Sequence, residues 1–290
     1  MLISPVASTY ATRVPYVTPG EFRRHPTGVD TKNLVPGQSA AVNEQALRDV
    51  LLRASSYADD IVEKLLGATV DSQAGDYTPG PGGVIKVPLD NSPIVAVADV
   101  ELGLAPGSLV SIGTDGCSLD GRILTIPVGY GQWGPTRVYA RVTYINGWAN
   151  AQLTQAAPPG STSITLNNAL GVVPGMTLAL TGDSRNESVT VAPGFVPSTS
   201  LDPVTVPLAS PVAGGSGGGY VVGDVASAMP QNIKLAVILL ACAIIKTRGS
   251  SAVVMGSIAS GPAQAVPFQD GAEGEYGMAV DLLNPYRRTI

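Results

Sequence analysis

One histidine, two cysteines and scattered carboxylates are the groups in this chain most suited to chemistry. His25 stands alone, and no Gly-x-Ser-x-Gly turn offers a nucleophile, so a Ser-His-Asp triad has no basis. It precedes Pro26 in a polar stretch and is expected at the surface. A zinc site needs several Cys or His at close spacing, whereas Cys117 and Cys242 lie far apart. Cys242 falls in an apolar run and reads as a small hydrophobe rather than a ligand or half of a disulfide. Asp115-Gly116 and Asp120-Gly121 are turn dipeptides before they are calcium ligands. Asp59 and Asp60 are adjacent on a predicted helix and point in different directions, so they do not act as a pair. The glycines at 214–219 lack the lysine and the strand–loop–helix context of a phosphate cradle. No catalytic, cofactor or metal residue is therefore nominated, and an enzyme is not expected.

The segments that would position any site begin with Thr18-Pro19-Gly20-Glu21, a capping box with proline at the first helical position. It predicts a short helix through Phe22 and Arg24 that stops before Pro26. Ser39 or Asn43 opens a second helix to about Leu66, closed by Gly67. Leu47, Val50, Leu51, Ala54, Ala58, Ile61 and Leu65 recur at three- and four-residue spacing, with Arg48, Asp59, Glu63 and Lys64 largely opposite. A third helix spans 230–248, with Pro230 in its first turn and Lys246 and Arg248 in its last. Residues 235–245 are apolar without a break, which predicts burial on every side. The run is too short to cross a bilayer, which takes roughly 20 apolar residues. With few other helices in prospect, a neighbouring subunit is expected to cover part of it, through Leu235, Val237, Ile238, Leu239, Leu240 and Ile244.

Between the helices the pattern changes. Residues 84–88, 94–100, 122–127 and 137–145 are β-type runs, and Asn146-Gly147 is a strong turn. After a proline-rich stretch at 156–161, short strands at 163–166, 176–180 and 187–191 predict a compact β-module, with the glycines at 214–219 as a hinge back. Residues 1–17 read as an extended arm, either frayed or packed on a partner. The chain closes on Asp281-Leu282-Leu283-Asn284-Pro285-Tyr286-Arg287-Arg288, either a solvated basic tail or a docking peptide whose Tyr and Arg meet a partner.

Composition narrows the classes. Charged residues make up 13% of the 290, against about a quarter in a typical domain. Mean hydropathy is +0.23, so subunit contacts are expected to cover much of the surface. The net charge of −5 and the absence of any basic run argue against tight binding to nucleic-acid phosphates. The first residues lack a basic region followed by an apolar stretch, so no signal peptide is expected and synthesis in the cytosol suits the chain.

Five stretches together resemble the head-to-tail connector (adaptor) proteins of tailed bacteriophages. They are Thr18-Pro19-Gly20-Glu21; Leu51-Leu52-Arg53-Ala54-Ser55-Ser56-Tyr57; Leu89 with Pro93-Ile94-Val95; the helix start Pro230-Gln231-Asn232-Ile233-Lys234-Leu235-Ala236; and the close Leu282 to Arg288. The resemblance covers roughly 15–150 and 225–290, and the module at 151–225 lies outside it. It implies a ring, usually of twelve subunits, beneath the portal at the capsid vertex of a virion assembled in a bacterial cytoplasm. Such a ring extends the DNA channel and offers a platform to the tail-side stopper or tail. Carried over, Leu282, Leu283, Pro285, Tyr286, Arg287 and Arg288 would dock into the portal, and the 230–248 helix would belong to the ring core. DNA would pass without tight binding, and neither a cofactor nor a membrane is implied.

The fold expected is α+β: a helical core, with helices near 40–66 and 230–248, a small antiparallel sheet and an inserted β-rich module. The expected division is an arm at 1–17, an adaptor core at 18–150 and 226–260, the module at 151–225 and a docking tail at 261–290. The main alternative is a capsid decoration or tail component that acts through the module. A hydrolase with an unrecognised site and a membrane-anchored protein are weaker alternatives.

Overall fold

The computed structural model describes residues 13–129, 137–183, 185–214, 218–247 and 272–287. Helix α1 (Pro19–Arg24) starts at the capping box: the Thr18 hydroxyl accepts from the Glu21 amide at 3.1 Å, and the Glu21 carboxylate accepts from the Thr18 amide at 2.9 Å. Helix α2 (Ala40–Val62) starts at Ser39 and turns Leu47, Leu51, Ala54, Ala58 and Val62 inward, all fully buried. It ends before Gly67. Glu63 takes the left-handed conformation at φ 59°, and Asp59 Oδ1 accepts from the Leu66 amide at 2.9 Å, turning the chain back early. Helix α3 (Gln231–Lys246) has Pro230 as its cap rather than its first residue. Helix α4 (Ala272–Leu283) packs against α3 and runs into a 3-10 turn at Asn284–Tyr286. Arg248, expected in the last turn of α3, lies outside the described residues.

Residues 69–146 form a β-sandwich. One sheet has the order β1 (Thr69–Tyr77), β7 (Val138–Asn146), β3 (Ile94–Gly103), β4 (Val110–Ser111). The other has the order β2 (Val84–Pro88), β6 (Ile123–Pro127), β5 (Ser118–Asp120), and all pairings are antiparallel. Strand β7 alternates inward and outward, with Val138, Ala140, Val142 and Tyr144 buried against Ile85, Val87, Leu124 and Ile126. Strand β3 shifts register between Ile94 and Ala96 and again between Val97 and Asp99. Such bulges explain why its apolar run does not alternate cleanly. Gly147 closes β7 at φ 88°; a Cβ there would lie 2.6 Å from the Gly67 carbonyl oxygen, so the turn excludes any side chain.

The second β unit contains β8 (Asn150–Gln152), β9 (Ser163–Leu166), β10 (Thr177–Thr181), β11 (Asn186–Thr190), β12 (Val204–Pro207) and β13 (Val225–Ser227). They make a four-stranded sheet, β11-β10-β13-β8, and the pair β12-β9 around a separate apolar core. Strands β8 and β13 are antiparallel neighbours with Asn150 opposite Ser227, so the chain enters and leaves the unit side by side. Ala157, within the proline-rich stretch at 156–161, is buried in this core and pairs with Tyr220 just beyond the glycines. The unit is fastened to the helical part. Asn150 donates to the Val14 and Pro15 carbonyls at 3.3 and 3.2 Å, and Arg24 donates to the carbonyls of Gly182 and Asp183 at 3.0 and 2.7 Å.

These sheets correct the expected fold class. The protein is mostly β: thirteen strands in four antiparallel sheets against four α-helices, among the described residues. It is not a helical core with a small sheet. The helices near 40–66 and 230–248 exist as α2 and α3, marked by a 3.6-residue period in the first and an unbroken apolar run in the second, both stronger local patterns than those of the strands. Strand β1 reads Thr-Val-Asp-Ser-Gln-Ala-Gly-Asp-Tyr, which has no apolar alternation, because an edge strand offers little side-chain area to the core. Strands of two or three residues such as β4, β5, β8 and β13 are too short to show a period.

Candidate functional site

The closing segment packs on the chain's own core. Ala279 and Leu283 are fully buried there, Leu282 is half-buried, and Pro285 is exposed. Half-buried Tyr286 meets Trp148 edge-on, with ring centroids 5.4 Å apart and planes at 83°. Arg287 is exposed and sits 3.4 Å from Glu63, and Lys246 holds Glu275 at 2.6 Å. Arg288 lies outside the described residues. Among the described residues of this closing stretch, Asp281, Asn284 and Arg287 are exposed.

Helix α3 is also covered largely from within. Val237 and Leu240 are fully buried, Ile238 and Ile244 nearly so, while Leu235 and Leu239 are half-buried. Helices α2 and α4, with Phe22 and Met229, supply this cover. The apolar run thus gives no ground by itself for a second subunit, and only Leu235 and Leu239 of the six nominated residues keep appreciable surface. Lys234, at the start of the run, keeps only 4% of its surface and pairs with Glu21 at 2.6 Å. Beside the pair a cleft of about 390 Å³ opens between α1, α3 and the second β unit, lined by Arg24, His25, Asn186, Gln231 and Leu235 among others. His25 Nδ1 is buried and has no hydrogen-bond partner.

The end of the arm is not frayed. Val14, Tyr16 and Val17 are buried, and Arg13, Tyr16 and Asp59 form a network. The Tyr16 hydroxyl donates to Asp59 Oδ1 at 2.8 Å and accepts from the Gly67 amide at 2.9 Å; Arg13 pairs with Asp59 Oδ2. Burial pushes the Tyr16 phenol above its ordinary range, with the Arg13 charge opposing. Residues 1–12 lie outside the described residues.

Among the described residues, no three His, Cys, Asp or Glu side chains gather as a metal site would require. Burial pushes the Cys242 thiol up to about 11, which keeps it protonated and unreactive near neutral pH. Asp115 is exposed in a turn of the sandwich, and Asp120 is exposed at the end of strand β5.

The sandwich has two unlike edges. Strands β4 and β5 form one edge, where Val110 is 62% exposed and Leu104, Ile112 and Leu119 also face solvent. Strands β1 and β2 form the other, with a cleft of about 500 Å³ lined by Tyr77, Pro81, Val84, Asp76 and Lys86 among others. Comparison with known protein families, curated proteins and solved structures finds no match to this chain.

Trp148, Tyr16 and Lys234 are not among the site residues expected from sequence, and Asp59, expected largely opposite the apolar face of its helix, is buried. The one available signal was Lys234, since a lysine next to an unbroken apolar run needs a buried partner. Asp59 falls near the boundary of the helix's apolar face, where periodicity does not separate a buried hydrogen-bonded carboxylate from a solvated one.

Proposed function

We propose that this chain is a virion structural protein, a head-to-tail connector whose copies form a ring beneath the portal, extend the DNA channel and bear the stopper or tail. The observation that carries the reading is the exposed apolar edge of the sandwich, Leu104, Val110, Ile112 and Leu119. Side chains grouped in this way mark a protein contact rather than a solvated edge. The order of the capped first helix, α2, the sheet, α3 and the Pro-Tyr-Arg-Arg close adds the sequence resemblance. The net charge of −5 suits a channel that lets phosphates slide. Portal docking falls to the outward parts of the closing segment, Pro285, Arg287 and the half-buried Tyr286, since Leu283 is committed to the core.

The test is electron microscopy of the full chain mixed with portal protein. Closed rings with a central hole, seated on the portal, support the connector. Free monomers at saturating portal count against it.

A second reading, a capsid decoration or tail component, is favoured by one observation. The second β unit exposes Val196 at 78%, Leu201 at 69%, Val222 at 63% and Val221 at 58%. Binding to assembled capsid lattice or tail, with no binding to portal, would select it.

A further inference from the structure

We propose that the two edges of the sandwich are the two halves of one subunit contact: the β4/β5 edge of each copy seats in the β1/β2 cleft of the next. The inference rests on the connector reading and names the surface that would close the ring.

Three features make the edges complementary. First, β1 and β4 are the opposite edges of a single sheet, and among the described residues no strand pairs with the outer side of either. Edges of this kind pair with another chain unless they are covered. Second, one edge projects and the other recedes. Leu104, in the turn that follows β3, and Val110, the first residue of β4, are 65% and 62% exposed. The cleft offers about 500 Å³ with Tyr77, Pro81 and Val84 among its walls, apolar surface that suits side chains of this size. Third, each edge brings charge that the other can meet. Exposed Lys86 lines the cleft, while exposed Asp120 ends β5 and exposed Asp115 lies on the turn before it. Asp76 at the cleft opposes this attraction in part, so the apolar contact carries the docking and the charges set its register.

A surface that fits a different surface of the same chain gives a head-to-tail contact. Such contacts propagate from copy to copy and end only when the rotation closes, which is what a ring demands. A twofold dimer would instead bring the β4/β5 edge against itself.

Two variants of the full chain test this, both carrying Cys117→Ser so that the half-exposed native thiol does not interfere; Cys242 is buried. One also carries Lys86→Cys, the other Val110→Cys. Each is assembled on portal and treated with a short bis-maleimide. Mixed, they should give covalently linked dimers, and neither should give them alone. Dimers from Val110→Cys alone would overturn the proposal in favour of a twofold contact. Rings of normal appearance that yield no cross-link in the mixture would overturn it and leave the connector reading standing. If no ring forms with the parent chain, the connector reading itself fails. As a second measurement, Leu104→Asp with Val110→Asp should lower the ring fraction by about tenfold or more, the scale expected when two apolar side chains at each interface give way to charge. An unchanged ring fraction in that variant, with its unfolding midpoint also unchanged, would overturn the proposal.

Discussion

Lys234 and Glu21 show how much a single buried pair constrains this protein. Lys234 keeps 5% of its side-chain surface and Glu21 keeps 14%, so removing either strands a charge away from water. Lys234→Met and Glu21→Ala should each cost about 3–5 kcal/mol in urea denaturation. Thr18→Ala, which loses only the cap, should cost about 1 kcal/mol. Equal costs for Thr18→Ala and Lys234→Met would contradict the pairing. The tyrosines set the alkaline limit. Burial raises Tyr16 above its ordinary 10.0, and burial, then the Glu187 charge, raises Tyr220 to about 12. Above pH 10.0 the unfolded chain releases protons that the folded chain still holds, so stability falls as pH rises from there toward about 12. Denaturation midpoints measured across that window should decline, and Tyr16→Phe should shallow the slope.

Elements meet through contacts that depend on particular backbones. A Cβ on Gly20 would lie 2.8 Å from the Asp183 Cα, so α1 touches the second β unit backbone to backbone. Gly20→Ala should loosen that unit without unfolding it, read as a local rise in hydrogen exchange at residues 182, 183 and 185–187 while the α2 amides keep their protection. The closing segment gives a second test at this scale. Leu283 is fully buried, so Leu283→Ala should cost about 2–5 kcal/mol. The Arg287–Glu63 pair is exposed, so Arg287→Ala should cost at most about 1 kcal/mol. Only the second variant therefore separates portal binding from folding. Deleting residues 282–290, a tail that the sequence alone presents as separable from the fold, should instead lower the unfolding midpoint, because Leu283 and Tyr286 leave the core with it.

For the whole molecule, the connector reading predicts that the isolated chain binds duplex DNA weakly and with little salt dependence, as its net charge of −5 implies. Tight binding at physiological salt in a fluorescence titration would contradict it. Much of the helical part was legible from the chain alone. The capping box at Thr18, the Ser39 cap, the spacing of Leu47, Leu51, Ala54 and Ala58, and the apolar run of α3 are local patterns, and local hydrogen bonds and periodicity fix such elements. The turn at Asn146-Gly147 and most longer strands were legible for the same reason. Tertiary structure alone decided three things. It showed that α3 is clothed by α2 and α4 of its own chain, because an all-round apolar helix says that it is covered and not by what. It folded the closing segment back onto Trp148, a partner remote in sequence. And, among the described residues, it joined thirteen mostly short strands into four sheets, because antiparallel pairing is long-range and a strand of three residues carries no period of its own.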